Sequence, residues 1–454
     1  MDFIVSIFDF ISSMGASVMM PIIIFILGLC LGAKVGKALR AGLIVGVGFV
    51  GLNAVIGILS GSLGPAVQAM VEKFGLTLDA VDIGWVPAAA IAFASRIGSI
   101  IIPLGLLVNI IMLVTNTTQT VNVDIWNYWH FAFTGAMIQS LTGSMAMGIA
   151  AAALNMVIVM VIADRTAAGL EKYNDLPGIS LPHGFTAAFV PIAAVFNKLL
   201  SFIPGLNKVN VNMETIQKRL GVFGEPVLIG VVFGIIIGTV AGYTIQAVLG
   251  MAISMGAALV LIPKMAALLM EGLIPVSDAA QGFIEKRFKS RGKIYIGLDS
   301  AIGVGHPLCM TCALILVPLS ILLAVILPGN RVLPFVDLAV IPYVFVLIIP
   351  ITKGDFVKSL IIGFLTMIIM LYCGSGLVEL LMQTAATADP ATYANYGSNF
   401  SSICDGSNPL TWAMIQLANF KWIGIAVMAA ISGGLMFWNR TKIIQEAKEL
   451  HAEA

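Results

Sequence analysis

Apolar runs of spanning length recur along nearly the whole chain, separated by short polar breaks. A helix that crosses a bilayer needs about 20 apolar residues. Runs of this kind fall near 12–31, 41–63, 97–115, 127–141 and 143–163, and again near 226–242, 246–264, 313–327, 336–350, 357–380 and 421–438. The pattern predicts an all-α polytopic membrane protein with about 11 transmembrane helices. One stretch breaks it. Gly297 to Pro307 reads Gly-Leu-Asp-Ser-Ala-Ile-Gly-Val-Gly-His-Pro, between the basic run Lys286–Lys293 and the apolar run Leu308–Leu327. Non-helical backbone survives at membrane depth only where protein or a water-filled cavity satisfies its polar groups. The stretch therefore reads either as a re-entrant hairpin carrying Asp299 and His306 into a substrate cavity, or as a cytoplasmic loop leading into a helix.

Basic residues set the expected orientation. Lys34, Lys37 and Arg40 follow the first span, Lys353 and Lys358 flank a later loop, and Arg440, Lys442 and Lys448 follow the last span. All of these, with the run before the opening stretch, are placed in the cytoplasm. The loop Gln383–Ser407 has no Lys or Arg and is placed outside. This puts the N-terminus outside and the C-terminus inside.

The two halves of the chain resemble each other at an offset of roughly 215 residues. Pro103-Leu-Gly-Leu-Leu leads to Val123-Asp124 as Pro318-Leu-Ser-Ile-Leu leads to Val336-Asp337, and Gly64-Pro65 matches Ile274-Pro275. Five spans in the first unit put the second in the membrane the other way up, the plan of many transporters. The expected units are an inverted 5-helix repeat at 1–207 and a second at 208–420, then the last helix and cytoplasmic tail at 421–454. The first repeat holds a hairpin near 65–95 and a short inserted helix near 182–196. The second holds a hairpin near 275–312 and a short segment near 408–420. Val81–Ser95 becomes the partner of the opening stretch.

Composition sharpens this without changing it. The 454 residues are 59% hydrophobic and 10% charged, with a net charge of +1, against about 25% charged in soluble domains. Nothing in that balance points to nucleic acid. Glycines four apart, Gly28/Gly32/Gly36 and Gly230/Gly234/Gly238/Gly242, predict close helix packing. Cys309 and Cys312 read as small buried hydrophobes rather than a redox or metal pair. The N-terminal stretch lacks the basic region of a cleavable signal peptide.

Ionisable groups inside spans are costly, and each is a candidate for function. Asn127 and His130 share a face of the fourth span, with Gln139 further along. His183 opens a run too short to span. Glu225 precedes Pro226, where it either favours a helix N-terminus or accepts paired hydroxyls. Asp299 and His306 complete the set. Carboxylates accept two hydroxyl hydrogen bonds, imidazoles and amides both donate and accept, and Trp85 or Trp129 could pack on a carbon backbone. The chemistry is that of polyhydroxyl recognition. No metal spacing, cofactor motif or serine-histidine-aspartate arrangement appears, no soluble domain is large enough for a phosphoryl donor, and no catalysis is expected of the chain alone.

Asn122-Val-Asp-Ile-Trp-Asn-x-Trp-His130, with Phe133-Thr-Gly-Ala136, resembles the galactitol-type enzyme IIC of the bacterial phosphoenolpyruvate-dependent sugar phosphotransferase system. So do Gly42-x-x-x-Gly-x-Gly-Phe-Val-Gly51, Pro182-His-Gly184, Phe223-Gly-Glu-Pro-Val227, Gly297-Leu-Asp299, Gly305-His306 and Pro328-Gly-Asn330. The resemblance runs from about Pro21 to Arg440. It implies a homodimeric, eleven-span permease subunit of the bacterial inner membrane with two re-entrant hairpins, like the related ascorbate-type subunits. It implies an alditol carried inward by an elevator-like movement. Cytoplasmic subunits IIA and IIB would serve as partners, the phosphorylated cysteine of IIB delivering the phosphoryl group. On this carry-over His130, His183 and Asp299 contact substrate, while Glu225 and His306 match family motifs. The chain has Val86-Pro-Ala-Ala-Ala where more polar residues are expected at the first hairpin tip. An ion-coupled secondary transporter on the same plan is the alternative, with Asp299 or Glu225 as its ion site.

Overall fold

The computed structural model describes residues 16–30, 32–75, 78–124, 126–206, 226–287, 293–334, 336–388, 390, 393–394 and 399–453. Helices dominate. In the first half they are α1 (Ala16–Cys30), α2 (Val35–Phe74), α3 (Trp85–Ala94), α4 (Gly98–Val114), α5 (Trp129–Thr142), α6 (Met145–Tyr173), α7 (Gly184–Ala187) and α8 (Val190–Ser201). In the second half they are α9 (Pro226–Ala241), α10 (Ile245–Arg287), α11 (Ala301–Val304), α12 (Pro307–Ile326), α13 (Ile341–Val346), α14 (Ile348–Thr352), α15 (Phe356–Ala388), α16 (Pro409–Ala418) and α17 (Trp422–Glu453). Five described helices are long and apolar enough to cross a membrane, or six if α3 and α4, bent by 88° at their break, count as one span.

The long helices α2 and α10 lie against each other. At about 1.5 Å per residue, the 40 residues of α2 and 43 of α10 exceed a hydrocarbon layer of about 30 Å. Both run on into the stretches read from sequence as hairpin starts, and Pro65 and Pro275 lie inside them. The glycine stripe on α9 explains its close approach to α10. A Cβ on Gly230 would sit 2.8 Å from the Gly256 Cα, and one on Gly234 would sit 2.5 Å from the Ala252 Cα. Neither stripe runs its full predicted length: Gly32, at φ +89°, lies between α1 and α2, and Gly242, at φ +83°, lies in the turn just past α9.

Where helices break, the backbone pairs as short parallel strands. These are β1 (Ala80–Asp82), β2 (Thr120–Asn122), β3 (Ile179–Ser180), β4 (Tyr295–Gly297), β5 (Val332–Leu333) and β6 (Phe400–Ser401). They form two three-stranded sheets, ordered β5-β1-β6 and β2-β4-β3. Val81 pairs with Leu333 on one side and Phe400 on the other; Ile296 pairs with Val121 and Ile179. Each sheet thus takes its central strand from one half of the chain and both outer strands from the other. The pairing meets the demand that apolar surroundings place on broken backbone.

Between the sheets lies α5. From Trp129 to Ile138 every residue is buried, so this helix is enclosed on all sides rather than amphipathic. Its Trp129, Phe131 and Phe133, with Tyr128, Phe185, Phe189 and Phe400 from outside it, are among the largest fully buried side chains.

Candidate functional site

Four polar side chains of the central cluster stand in the segments that follow strand ends. Asp124 follows β2, His183 follows β3, Asp299 follows β4 and Asp405 follows β6. Asn127 lies in the 3-10 turn Trp126–Tyr128, and His130 is the second residue of α5. Side-chain contacts join these positions although they are far apart in sequence.

The imidazoles of His130 and His183 meet through their Nε2 atoms at 3.2 Å. His130 Nδ1 is 2.6 Å from Asp405 Oδ2, with both groups buried. Asp405 Oδ1 accepts from Asn408 Nδ2 at 3.2 Å, and the same amide donates to the Gly184 carbonyl at 3.1 Å. His183 Nδ1 caps α7, accepting from the Thr186 N–H at 3.3 Å and facing its hydroxyl at 3.2 Å. His183 Nε2 is 3.8 Å from Asp299 Oδ1, whose carboxylate accepts the Ala301 N–H at 2.8 Å. Asn127 donates to Asp124 Oδ2 at 2.7 Å and lies within reach of Asp299 as well. Trp129 stacks on His130 with ring centroids 4.0 Å apart, and Tyr343 lies 5.7 Å from the His183 ring. Below, Asn155, Thr134 and Thr411 form a buried hydrogen-bonded row.

A second carboxylate pair lies at the ends of β1 and β5. Asp82 ends β1 and Asp337 follows β5. Asp337 accepts from the backbone N–H of Trp85 and Cys404 and from the Ser402 hydroxyl. Asp82 accepts from the N–H of Gly84, Ile403 and Asp337. Nearly every donor here is backbone, so this pair holds loops together. Gly84, at φ +87°, makes the turn, and a Cβ there would sit 2.6 Å from Val336 Cγ1.

The structure thus brings together four residues singled out by sequence, Asn127, His130, His183 and Asp299. Trp85 opens α3 beside the Asp82–Asp337 pair, its backbone held by Asp337 and the residue 37% exposed. Gln139 lies on α5 nine residues past His130, about 13 Å along the axis. His306 caps α12 through Leu308 N–H. Glu225 lies outside the described residues. Sequence reasoning passes over Asp405 and Tyr343. Cys404-Asp405-Gly406-Ser407-Asn408 reads as a polar turn, and its one usable signal was an acid without any Lys or Arg across the whole loop.

His130, Cys404 and Asp405 are the one group of metal-capable donors within 4.8 Å of one another among the described residues. The His130 and Asp405 atoms concerned are already hydrogen-bonded to each other. The cluster as a whole offers imidazoles, carboxylates and an amide in an enclosed space, a set that suits hydroxyls.

A family model described as the PTS system sugar-specific permease component, EIIC-GAT, matches residues 9–392. The chain is 38% identical over 448 residues to the PTS system galactitol-specific EIIC component of Escherichia coli (strain K12), covering 98% of each. The protein of the same name in Escherichia coli O157:H7 matches to the same extent. A Putative permease IIC component of Escherichia coli (strain K12) is 38% identical over 439 residues, 97% of this chain and 100% of the relative.

Proposed function

The chain belongs to the EIIC-GAT family of sugar-specific permease components of the phosphotransferase system, and from that premise we propose that it binds galactitol or a similar alditol at the His130–His183–Asp299 cluster. It is a multi-pass membrane subunit for sugar or polyol uptake, working with the IIA and IIB subunits of such a system. The observation that carries the binding site is the buried run of hydrogen bonds from His183 through His130 to Asp405, flanked by Asp299, Asp124 and Asn127. An alditol is uncharged and carries a hydroxyl on every carbon. Carboxylates accept from neighbouring hydroxyls, and Asn127 and the imidazoles supply both donors and acceptors. The indole of Trp129 already covers His130, leaving Tyr343 as the ring for the carbon chain.

Transport follows the alternating-access plan of inverted repeats. The units are 1–207 and 208–420, with about eleven spans, two re-entrant arms, the N-terminus outside and the C-terminus inside. The exchange of strands between halves supports this reading, because β1 and β4 occupy equivalent central places. The site is enclosed in this structure, with His130 and His183 no more than 5% exposed. Release therefore needs the core around α5 to move against the long helices α2 and α10, as an elevator within a homodimer. On the cytoplasmic side the phosphocysteine of IIB transfers its phosphoryl group to an alditol hydroxyl. The sulfur–phosphorus bond breaks with its electron pair leaving on the cysteine sulfur, an oxygen–phosphorus bond forms, and the hydroxyl proton passes to that thiolate or to water, trapping the product.

The test is binding of alditols to the purified protein by calorimetry. Asp299→Asn and His183→Ala should each lower galactitol affinity by about 10- to 100-fold, since a hydrogen bond to a charged or buried group is worth about 1.5–3 kcal/mol. Unchanged affinity removes that residue from the site. Accumulation of free galactitol in vesicles driven by an ion gradient, without phosphoenolpyruvate or partner subunits, would overturn the coupling to phosphorylation.

A further inference from the structure

The proton positions in the buried chain of hydrogen bonds follow from its two ends. At one end the Thr186 backbone N–H points at His183 Nδ1. A backbone amide only donates, so this nitrogen carries the lone pair and the ring proton sits on Nε2. At the other end the Asn408 amide cannot turn over. Its Oδ1 accepts from the N–H groups of Leu410 and Thr411, at 3.0 and 3.1 Å, so its Nδ2 must donate to Asp405 Oδ1. Asp405 Oδ2 then accepts from His130 Nδ1. His130 Nε2 is left with a lone pair, 3.2 Å from the protonated Nε2 of His183. All donors run one way, from Thr186 through His183 and His130 to Asp405. An imidazolium at His130 would set two N–H groups against each other.

We propose that Asp405 is a positioning residue for substrate recognition. By holding His130 in its Nδ1–H form, it places an acceptor opposite the donor of His183. Only a group that donates and accepts through one atom can enter between them, and a hydroxyl does so. Its O–H donates to His130 Nε2, and its oxygen accepts from His183 Nε2–H. With hydrogen bonds of about 2.8 Å, the two nitrogens must part by about 1 Å from the closed pair. A carbonyl oxygen cannot donate to His130, and an ammonium cannot accept from His183. The histidine pair is thus a latch, closed on itself when empty and opened by one particular hydroxyl. The inference rests on the alditol-binding reading and deepens it.

Asp405→Asn tests it, because a carboxamide has one oxygen where the carboxylate has two. Asn408 cannot flip, so that oxygen must face Asn408 and the new NH2 must face His130 Nδ1. The His130 proton is then forced to Nε2, against His183. The measurement is 15N NMR of the full chain in lipid nanodiscs with labelled histidine, the His130 signal being assigned by its loss in His130→Gln. The wild type should show His130 as Nδ1–H and His183 as Nε2–H, and Asp405→Asn should move the His130 proton to Nε2. Galactitol affinity should fall by at least about tenfold in Asp405→Asn. Among monodeoxy galactitols, one should bind weakly to the wild type yet lose nothing further in the variant, the coupling expected of groups acting through one contact. A purely structural role for Asp405 would lower affinity for all analogues alike and overturn the proposal. So would a wild-type His130 protonated at Nε2, a result obtained even if the variant does not fold. If the wild type binds no alditol, the substrate reading falls, and the NMR arm still decides whether Asp405 sets His130.

Discussion

Asp337 reaches across 252 positions to the first residue of α3, accepting the Trp85 backbone N–H at 2.7 Å. Its other oxygen takes the Ser402 hydroxyl and the Cys404 N–H, at 2.9 and 3.0 Å. One buried carboxylate therefore joins the tip after β1 to the segment that carries Asp405. Asp337→Ala leaves three donors without their partner in an enclosed place, each costing about 1–3 kcal/mol. We expect loss of most folded protein, seen as a collapsed monodisperse peak in detergent chromatography. Asp337→Asn, which keeps an acceptor, should fold with a lowered melting temperature. Wild-type behaviour of Asp337→Ala would show that the junction is not needed.

Gly184 lies against His130. A Cβ at this position would stand 2.5 Å from the His130 Cβ and 3.0 Å from its Cγ. Gly184→Ala should therefore push the imidazole from its place between Asp405 and His183. Overpacking of this size costs about 1–3 kcal/mol. Galactitol affinity should drop about tenfold or more, with a folded protein retained. Calorimetry beside a melting curve checks both halves, and a melting shift with unchanged affinity would contradict the expectation.

The last helix is held to α6 by the Arg165–Glu446 ion pair and by a buried amide. Asn439 Nδ2 lies 2.7 Å from Asp164 Oδ2 and 2.9 Å from the Thr117 carbonyl, while Asp164 also accepts from Thr118, Thr120 and the Gln119 N–H. Asn439→Ala leaves the Thr117 carbonyl without this donor and should cost about 1–3 kcal/mol. Hydrogen exchange read by mass spectrometry should quicken across α17 and little elsewhere. Uniform protection in the variant would remove Asn439 as an anchor.

Asp79 and Arg331 form an ion pair outside the helices, with Arg331 Nε and Nη2 at 2.8 and 2.6 Å from Asp79 Oδ2. The Arg331 hydrogen bond holds the Asp79 carboxyl below the usual aspartate value. A depressed folded value means the pair stabilises above the unfolded aspartate value of about 3.9 and is lost as pH falls through the folded one. Asp79→Asn should therefore melt slightly below the wild type at pH 6, and the gap should close as pH falls through the lowered folded value of Asp79. Both groups are partly exposed, so the gap is small and shrinks in high salt. A gap that persists at low pH would rule out the ion pair as its source.

The sequence made the membrane class, the helix-rich plan and most of the polar cluster legible, because burying an ionisable group in apolar surroundings is costly enough to show in one dimension. His130, His183, Asn127 and Asp299 each stand out against long apolar runs. The glycines of α9 declared their packing stripe for a similar reason, since only fourfold spacing keeps small residues on one helix face. Asp405 and Tyr343 did not stand out. An aspartate in Cys-Asp-Gly-Ser-Asn looks like any turn until β6 places it beside His130, 275 residues away in sequence.

What the chain alone determined is therefore a list of groups that apolar surroundings cannot tolerate unpaired. Which of them meet was decided by tertiary structure. Two sheets of very short strands each take their middle strand from one half of the chain and their outer strands from the other, and the segments that follow four of these strands meet in the site. The pairing is set by backbone hydrogen bonds that any residue type can make, so it leaves little mark on the sequence. The same fold that collects His130, His183, Asp299 and Asp405 sends Trp85, Gln139 and His306 elsewhere. It also fixes the direction in which the protons of the site point.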